Sequence, residues 1–165
     1  MIYRSLGVLF SSSRISIAYV EHHENAGLWT YDVKTNNSYP AENINTVVQQ
    51  FIEENDLVYK VALITVHSEV PGKNFNGAII AAATGLPVIS DLTSIDIELG
   101  GNGDFYSPML QKLGINSGDN TGLNKTICVA FMGVLRWREE YNFLSSVTGA
   151  RRSSIGGAIW LGQEA

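Results

Sequence analysis

The sequence predicts an α/β domain: one mixed, five-stranded sheet with helices on both faces. Three observations lead there. Residues 2–34 read as three strands joined by short connections, which suits antiparallel hairpins. Ile44, Val47, Val48, Phe51 and Ile52 recur at helical spacing, so a helix there can bury one face against the sheet. Val61 to Val66 and Leu86 to Ile89 are apolar runs without alternation, as expected of strands covered on both sides. The resulting order, three strands, helix, strand, helix, strand, is an antiparallel meander extended by right-handed parallel crossovers. It is the order of a single ribonuclease H-like lobe.

Each element has its own signals. Ile2 to Phe10 forms the first strand, with Gly7 inside it, and Ile15 to Glu21 the second, across the turn Ser11 to Arg14. A third strand runs from Leu28 to Lys34 after the turn residues Glu24 to Gly27. Asn36, Asn37, Ser38 and Pro40 read as a loop, and Asn43 can cap a helix reaching about Asn55. The strand Val61 to Val66 ends at His67. Phe75 to Thr84 is an alanine-rich helix that can pack close to the strands, and Gly85 stops it because a residue without Cβ enters the left-handed region at little cost. Pro87 is tolerable near the start of the strand that follows. After Pro108, a turn or short helix around Met109 to Leu113 gives way to Gly114 to Asn124, a loop rich in glycine and asparagine. Ile127, Ala130, Phe131, Val134 and Leu135 then share one face of a helix over Lys125 to Arg138, with Cys128 beside that face. The tail turns at Gly149 and at Gly156 and Gly157 before an apolar piece ending at Leu161.

Length and composition limit the function classes. A chain of 165 residues with 45% hydrophobic and 16% charged residues is globular and long enough for one domain with a real core. A net charge of −5, with Arg151 and Arg152 only a local pair, argues against nucleic acid or an anionic membrane as partner. No apolar run reaches the length that spans a bilayer, and the serines from Ser11 to Ser13 with Arg14 interrupt any secretory pattern. The single cysteine, Cys128, can form no internal disulfide, and no histidine joins cysteines at zinc spacing, so no metal is expected and a reducing cytoplasm fits.

The richest stretch for chemistry is TGLPVISDLTSIDIELGGNGDFYS, Thr84 to Ser107. Asp91 follows the buried strand at its carboxyl end, where open α/β sheets bind ligands, and is a candidate general base or metal ligand. The plainer alternative is a turn former or helix N-cap. Gly100, Gly101 and Gly103 with Asn102 make a loop whose backbone N–H groups can approach a ligand closely.

This order of residues resembles a segment of the anhydro-N-acetylmuramic acid kinases, of the actin-like ATPase and sugar-kinase superfamily. TGLPVISD followed by IDIELGGNG is similar to the part holding that family's catalytic aspartate and sugar-binding glycine loop, and Asn76 to Gly85 to the helix before it. The opening residues 1–29 and the closing stretch from Gly133 to Leu161 resemble the family's first strands and last helix. The resemblance implies Asp91 as catalytic base, and His67, Asp96, Gly100, Gly101, Asn102 and Gly103 on the sugar side. Ser11, Ser12 and Ser13 stand where the family holds nucleotide phosphate, but without its glycine and aspartate, and a polar hairpin turn is the alternative.

Departures from the pattern shape the expectation. Thr93 stands for an arginine, Asn102 for a glutamine, and Asp104 and Phe105 for an alanine and a proline. The second, nucleotide-binding lobe is missing at residues 114–124, leaving a single domain made of a sugar-side core over 1–113 and a closing helix and tail over 125–165. Since phosphoryl transfer depends on positioning around the nucleotide, catalysis is expected to be degenerate. The sequence thus leads to a sugar-binding or regulatory lobe in cell-wall sugar recycling, without cofactor, with an amino-sugar ligand, as a homodimer, and with neither nucleic acid nor membrane as partner. The alternatives are a homodimeric composite kinase using ATP and Mg, and a structural interaction module.

Overall fold

The computed structural model describes residues 1–70, 77–90, 92, 106–116, 121–138 and 158–160. Strand β1 (Ile2–Ser11) pairs antiparallel with β2 (Arg14–Asn25), and β2 with β3 (Leu28–Pro40). Helix α1 (Ile44–Glu54) leads to β4 (Leu63–Ser68), which lies parallel to β1 on its other side. Helix α2 (Gly77–Thr84) leads to β5 (Val88–Ser90), parallel to β4. Helices α3 (Tyr106–Lys112) and α4 (Gly122–Trp137) follow, and a short β6 (Ala158–Trp160) adds antiparallel to β5. The sheet order is β3-β2-β1-β4-β5-β6, so the expected five strands gain a sixth from the apolar end of the chain.

The hairpins close as their residues require. Ser11 faces Arg14 across a two-residue turn in which Ser12 takes a positive φ of 48°. Asn25 faces Leu28 across Ala26 and Gly27, whose φ values of 53° and 82° have the sign pattern of a type I′ turn, the one matching strand twist. Gly85 ends α2 with φ 73°, as its position predicts. One expectation is corrected here: Asn36, Asn37 and Ser38 do not form a loop but continue β3 to Pro40. Their partners on β2 extend far enough to hold them, and at the sheet edge exposed polar side chains and a terminal proline cost nothing in the ladder.

Strand alternation divides the core in two. Leu6, Val8 and Phe10 of β1, with Ile15, Ile17, Ile64 and Val66, meet α1 and α2. Leu9, with Ala18, Val20, Leu63 and Ile89, meets α3 and α4 on the opposite face. All five predicted apolar residues of α1 are buried, and Asn43 caps the helix by accepting a 3.0 Å hydrogen bond from the Asn45 N–H. In α4 every residue from Thr126 to Leu135 is buried, because α3 covers the side that the sheet does not. Two glycines permit its close approach. A Cβ at Gly7 would overlap the Thr126 carbonyl, and one at Gly133 would overlap the Thr65 side chain of β4. Cys128 lies wholly in this core, and burial pushes its thiol up to about 12.

Candidate functional site at the carboxyl edge of the sheet

Because β1, β4 and β5 run parallel, their last residues Ser11, Ser68 and Ser90 share one edge. The chain leaves β4 still in register: the Glu69 N–H donates to the Phe10 carbonyl at 2.9 Å. Helix α4 begins here, with Thr121 as cap accepting from the Asn124 N–H at 3.1 Å. The predicted loop to Asn124 therefore ends earlier, at Thr121. The Thr126 hydroxyl lies 2.7 Å from the Gly122 carbonyl and 2.9 Å from the Ser16 hydroxyl. With one proton to give, it donates to the carbonyl and accepts from Ser16, fixing α4 to β2.

Four side chains from three segments meet at this edge. Lys125 Nζ stands 3.1 Å from a Glu69 carboxylate oxygen, each side chain only 25% exposed, so solvent screens the pair incompletely. The same ammonium lies 5.5 Å from the Tyr106 ring centre, within cation–π range. His67 meets that ring edge-on at 6.0 Å. Burial pulls the His67 imidazole down to about 4, with Glu69 opposing the shift, so the ring is neutral at physiological pH. A neutral imidazole, an ion pair and an aromatic face can hold a phosphate and a planar group beside it. Among the described residues no group of three or more His, Cys, Asp or Glu side chains could hold a metal ion.

Of the residues singled out by sequence, His67 belongs to this edge. Ser11 ends β1, and Ser12 and Ser13 form the exposed hairpin turn. Beside them Arg14 is engaged by β3, donating from Nε to Ser38 Oγ at 3.0 Å and from Nη2 to the Ser38 carbonyl at 2.9 Å. Asp91, Asp96, Gly100, Gly101, Asn102 and Gly103 lie outside the described residues. Glu69, Tyr106 and Lys125 were not expected. Only Lys125 had a signal, its place at the start of an amphipathic helix.

A RuvC structure from Thermus thermophilus matches over 96% of this chain and 100% of its own, with a TM-score of 0.54 at 10% identity. The fold is ribonuclease H-like. A second T. thermophilus RuvC, in complex with Holliday junction substrate, matches over 90% of this chain and 98% of its own, with a TM-score of 0.46 at 10% identity. No family model and no curated protein matches.

The RuvC likeness overturns the kinship with the anhydro-N-acetylmuramic acid kinases. A lobe of this fold spans the whole of that RuvC chain, so a lost nucleotide lobe at residues 114–124 need not be invoked. The readings built on that kinship fall with it: the sugar-binding lobe of cell-wall recycling, the composite kinase, the interaction module and the amino-sugar ligand. The exclusion of nucleic acid is corrected as well. A net charge of −5 averages over a surface on which cations can still group locally, so it does not exclude such a partner.

Proposed function

We propose that this chain is a nucleic-acid-binding domain of the ribonuclease H-like class, with the strand lying along the carboxyl edge of the sheet. The observation that carries this reading is the meeting of Lys125, Tyr106, His67 and Glu69 beside the opening turn of α4. Ligands of open α/β sheets bind at this end, and here an ammonium, the positive end of a helix dipole and an aromatic ring stand together. Lys125 moves from Glu69 to a phosphate, and Tyr106 offers its face to a base. The solved RuvC bound to a Holliday junction supports nucleic acid as the ligand class, and branched DNA as the first form to try. Among the described residues no helix is long and apolar enough to cross a membrane. With Cys128 free and buried, the domain suits a reducing cytoplasm.

Fluorescence anisotropy with a four-way junction, a duplex and a single strand tests the reading. Binding is expected in the range of about 10⁻⁴–10⁻⁶ M at physiological salt, tightening as salt falls. Lys125→Ala and Tyr106→Ala should each weaken it about tenfold, or roughly 1.4 kcal/mol. No binding of any form at low salt, or variants indistinguishable from the parent, would contradict it.

A further inference from the structure

At the opposite end of the sheet, away from the proposed strand site, a cavity of about 180 Å³ opens between the first residues of β1, the start of β4 and the last turn of α4. Tyr3, Ser5, Leu63 and Trp137 line it, with Arg4 and Lys60 at its mouth. Ser5 is 1% exposed, and its hydroxyl has no hydrogen-bond partner among the described residues. Strand alternation turns Ser5 the same way as Leu9, toward the α4 side, which is where the cavity lies. An unpaired buried hydroxyl is costly, and lining a cavity it marks a place where something else supplies the partner.

The cavity adjoins an open basin of about 610 Å³ that shares Arg4 and Lys60 and adds Lys34, Tyr59 and Glu21. Glu21 pairs with Arg4 at 3.1 Å and with Lys34 at 3.6 Å, and Lys34 also meets Asp32 at 2.8 Å, so carboxylates match both of these cations. Lys60 is exposed and has no ion-pair partner within 4 Å among the described residues. Tyr59 is 99% exposed and Trp137 44% exposed, so both rings are open to a ligand. The inner volume is below the ~300–1,000 Å³ of pockets for drug-sized ligands, so it takes one ring with a short substituent.

We propose that this cavity binds a small aromatic anion, its ring between Trp137 and Tyr3, a ring heteroatom or substituent hydrogen-bonded to the Ser5 hydroxyl, and its carboxylate or phosphate on Lys60 and Arg4. The two sources of that chemistry are a ring carboxylate and a nucleoside monophosphate, whose ribose would reach into the basin. Neither requires the carboxyl edge to bind a strand.

Titration of the full chain, followed by tryptophan fluorescence and calorimetry, distinguishes them. The probes are nicotinate and uridine 5′-monophosphate, each beside its neutral counterpart, nicotinamide and uridine. At least one anion should bind saturably below about 1 mM, and about tenfold tighter than its neutral counterpart. Which anion binds identifies the source. Lys60→Ala should weaken that binding about tenfold and Ser5→Ala about fivefold. Thermal melting of free Ser5→Ala should be unchanged or raised, since an unpaired hydroxyl has gone, so lost binding there cannot be lost folding. The proposal is overturned by absence of saturable binding of both anions at about 10 mM, by equal binding of the neutral probes, or by indifference to both substitutions.

Discussion

His22 lies wholly inside the α4 side of the core, stacked on Phe131 at 5.1 Å, and neither ring nitrogen has a hydrogen-bond partner among the described residues. Burial, helped by the charge of His23, pulls its imidazole down to about 3, and His67 is pulled to about 4. In the unfolded chain both would titrate near 6.5. Below that pH the unfolded chain binds more protons than the folded one. Stability is therefore fully present above about pH 6.5 and is lost progressively as pH falls toward the folded values, by an amount on the order of a few kcal/mol. Chemical denaturation across pH 4–7 should show this slope, and His22→Leu should flatten it; a flat parent profile would contradict the burial of His22. Thr65 presents a similar case without charge, since its hydroxyl is buried and unpaired beneath Gly133. Thr65→Val keeps the shape and removes the polar atom, so it should raise stability by about 1 kcal/mol.

Among the elements, α4 ties the molecule together. It crosses β1 at Gly7 and β4 at Gly133, its start is bonded to β2 through Thr126 and Ser16, and its end is clamped by Arg138. The Arg138 guanidinium lies 5.4 Å from the Tyr3 ring and 5.2 Å from the Trp29 ring, and 3.8 Å from Glu24. Gly133→Ala forces a methyl into Thr65 and should cost about 1–3 kcal/mol, read as a lower denaturant midpoint with unchanged slope. Helix α1 was fully legible in the sequence, because its cap and its apolar spacing state the same element twice. The far half of β3 was not: Asn36, Asn37 and Ser38 are turn formers by local preference, and only pairing with β2 overrides it. At the site, the position of His67 at a strand end was legible, but its neutrality was not, since desolvation depends on what packs over it. The Glu69–Lys125 pair and the Tyr106 ring come from segments far apart in the chain, and nothing local announces their meeting.

At the scale of the whole molecule, the two ends of one sheet offer different chemistry. The carboxyl edge carries an ion pair, a neutral histidine and an aromatic face; the amino edge carries Arg4, Lys34 and Lys60 around exposed rings. The fold class followed from the order of strands and helices, while the resemblance read from the Thr84–Ser107 stretch led to the wrong activity. A fold rests on periodicity spread over the chain, whereas an activity rests on a few side chains whose meeting has to be seen. The measurement that tests the account most directly is an amide chemical-shift map of the labelled domain titrated with a four-way DNA junction. Shifts should concentrate at Glu69, Tyr106, Thr121 and Lys125 and diminish as salt rises. Shifts confined to the amino edge, or none at all, would contradict the assignment of the carboxyl edge as the nucleic-acid site.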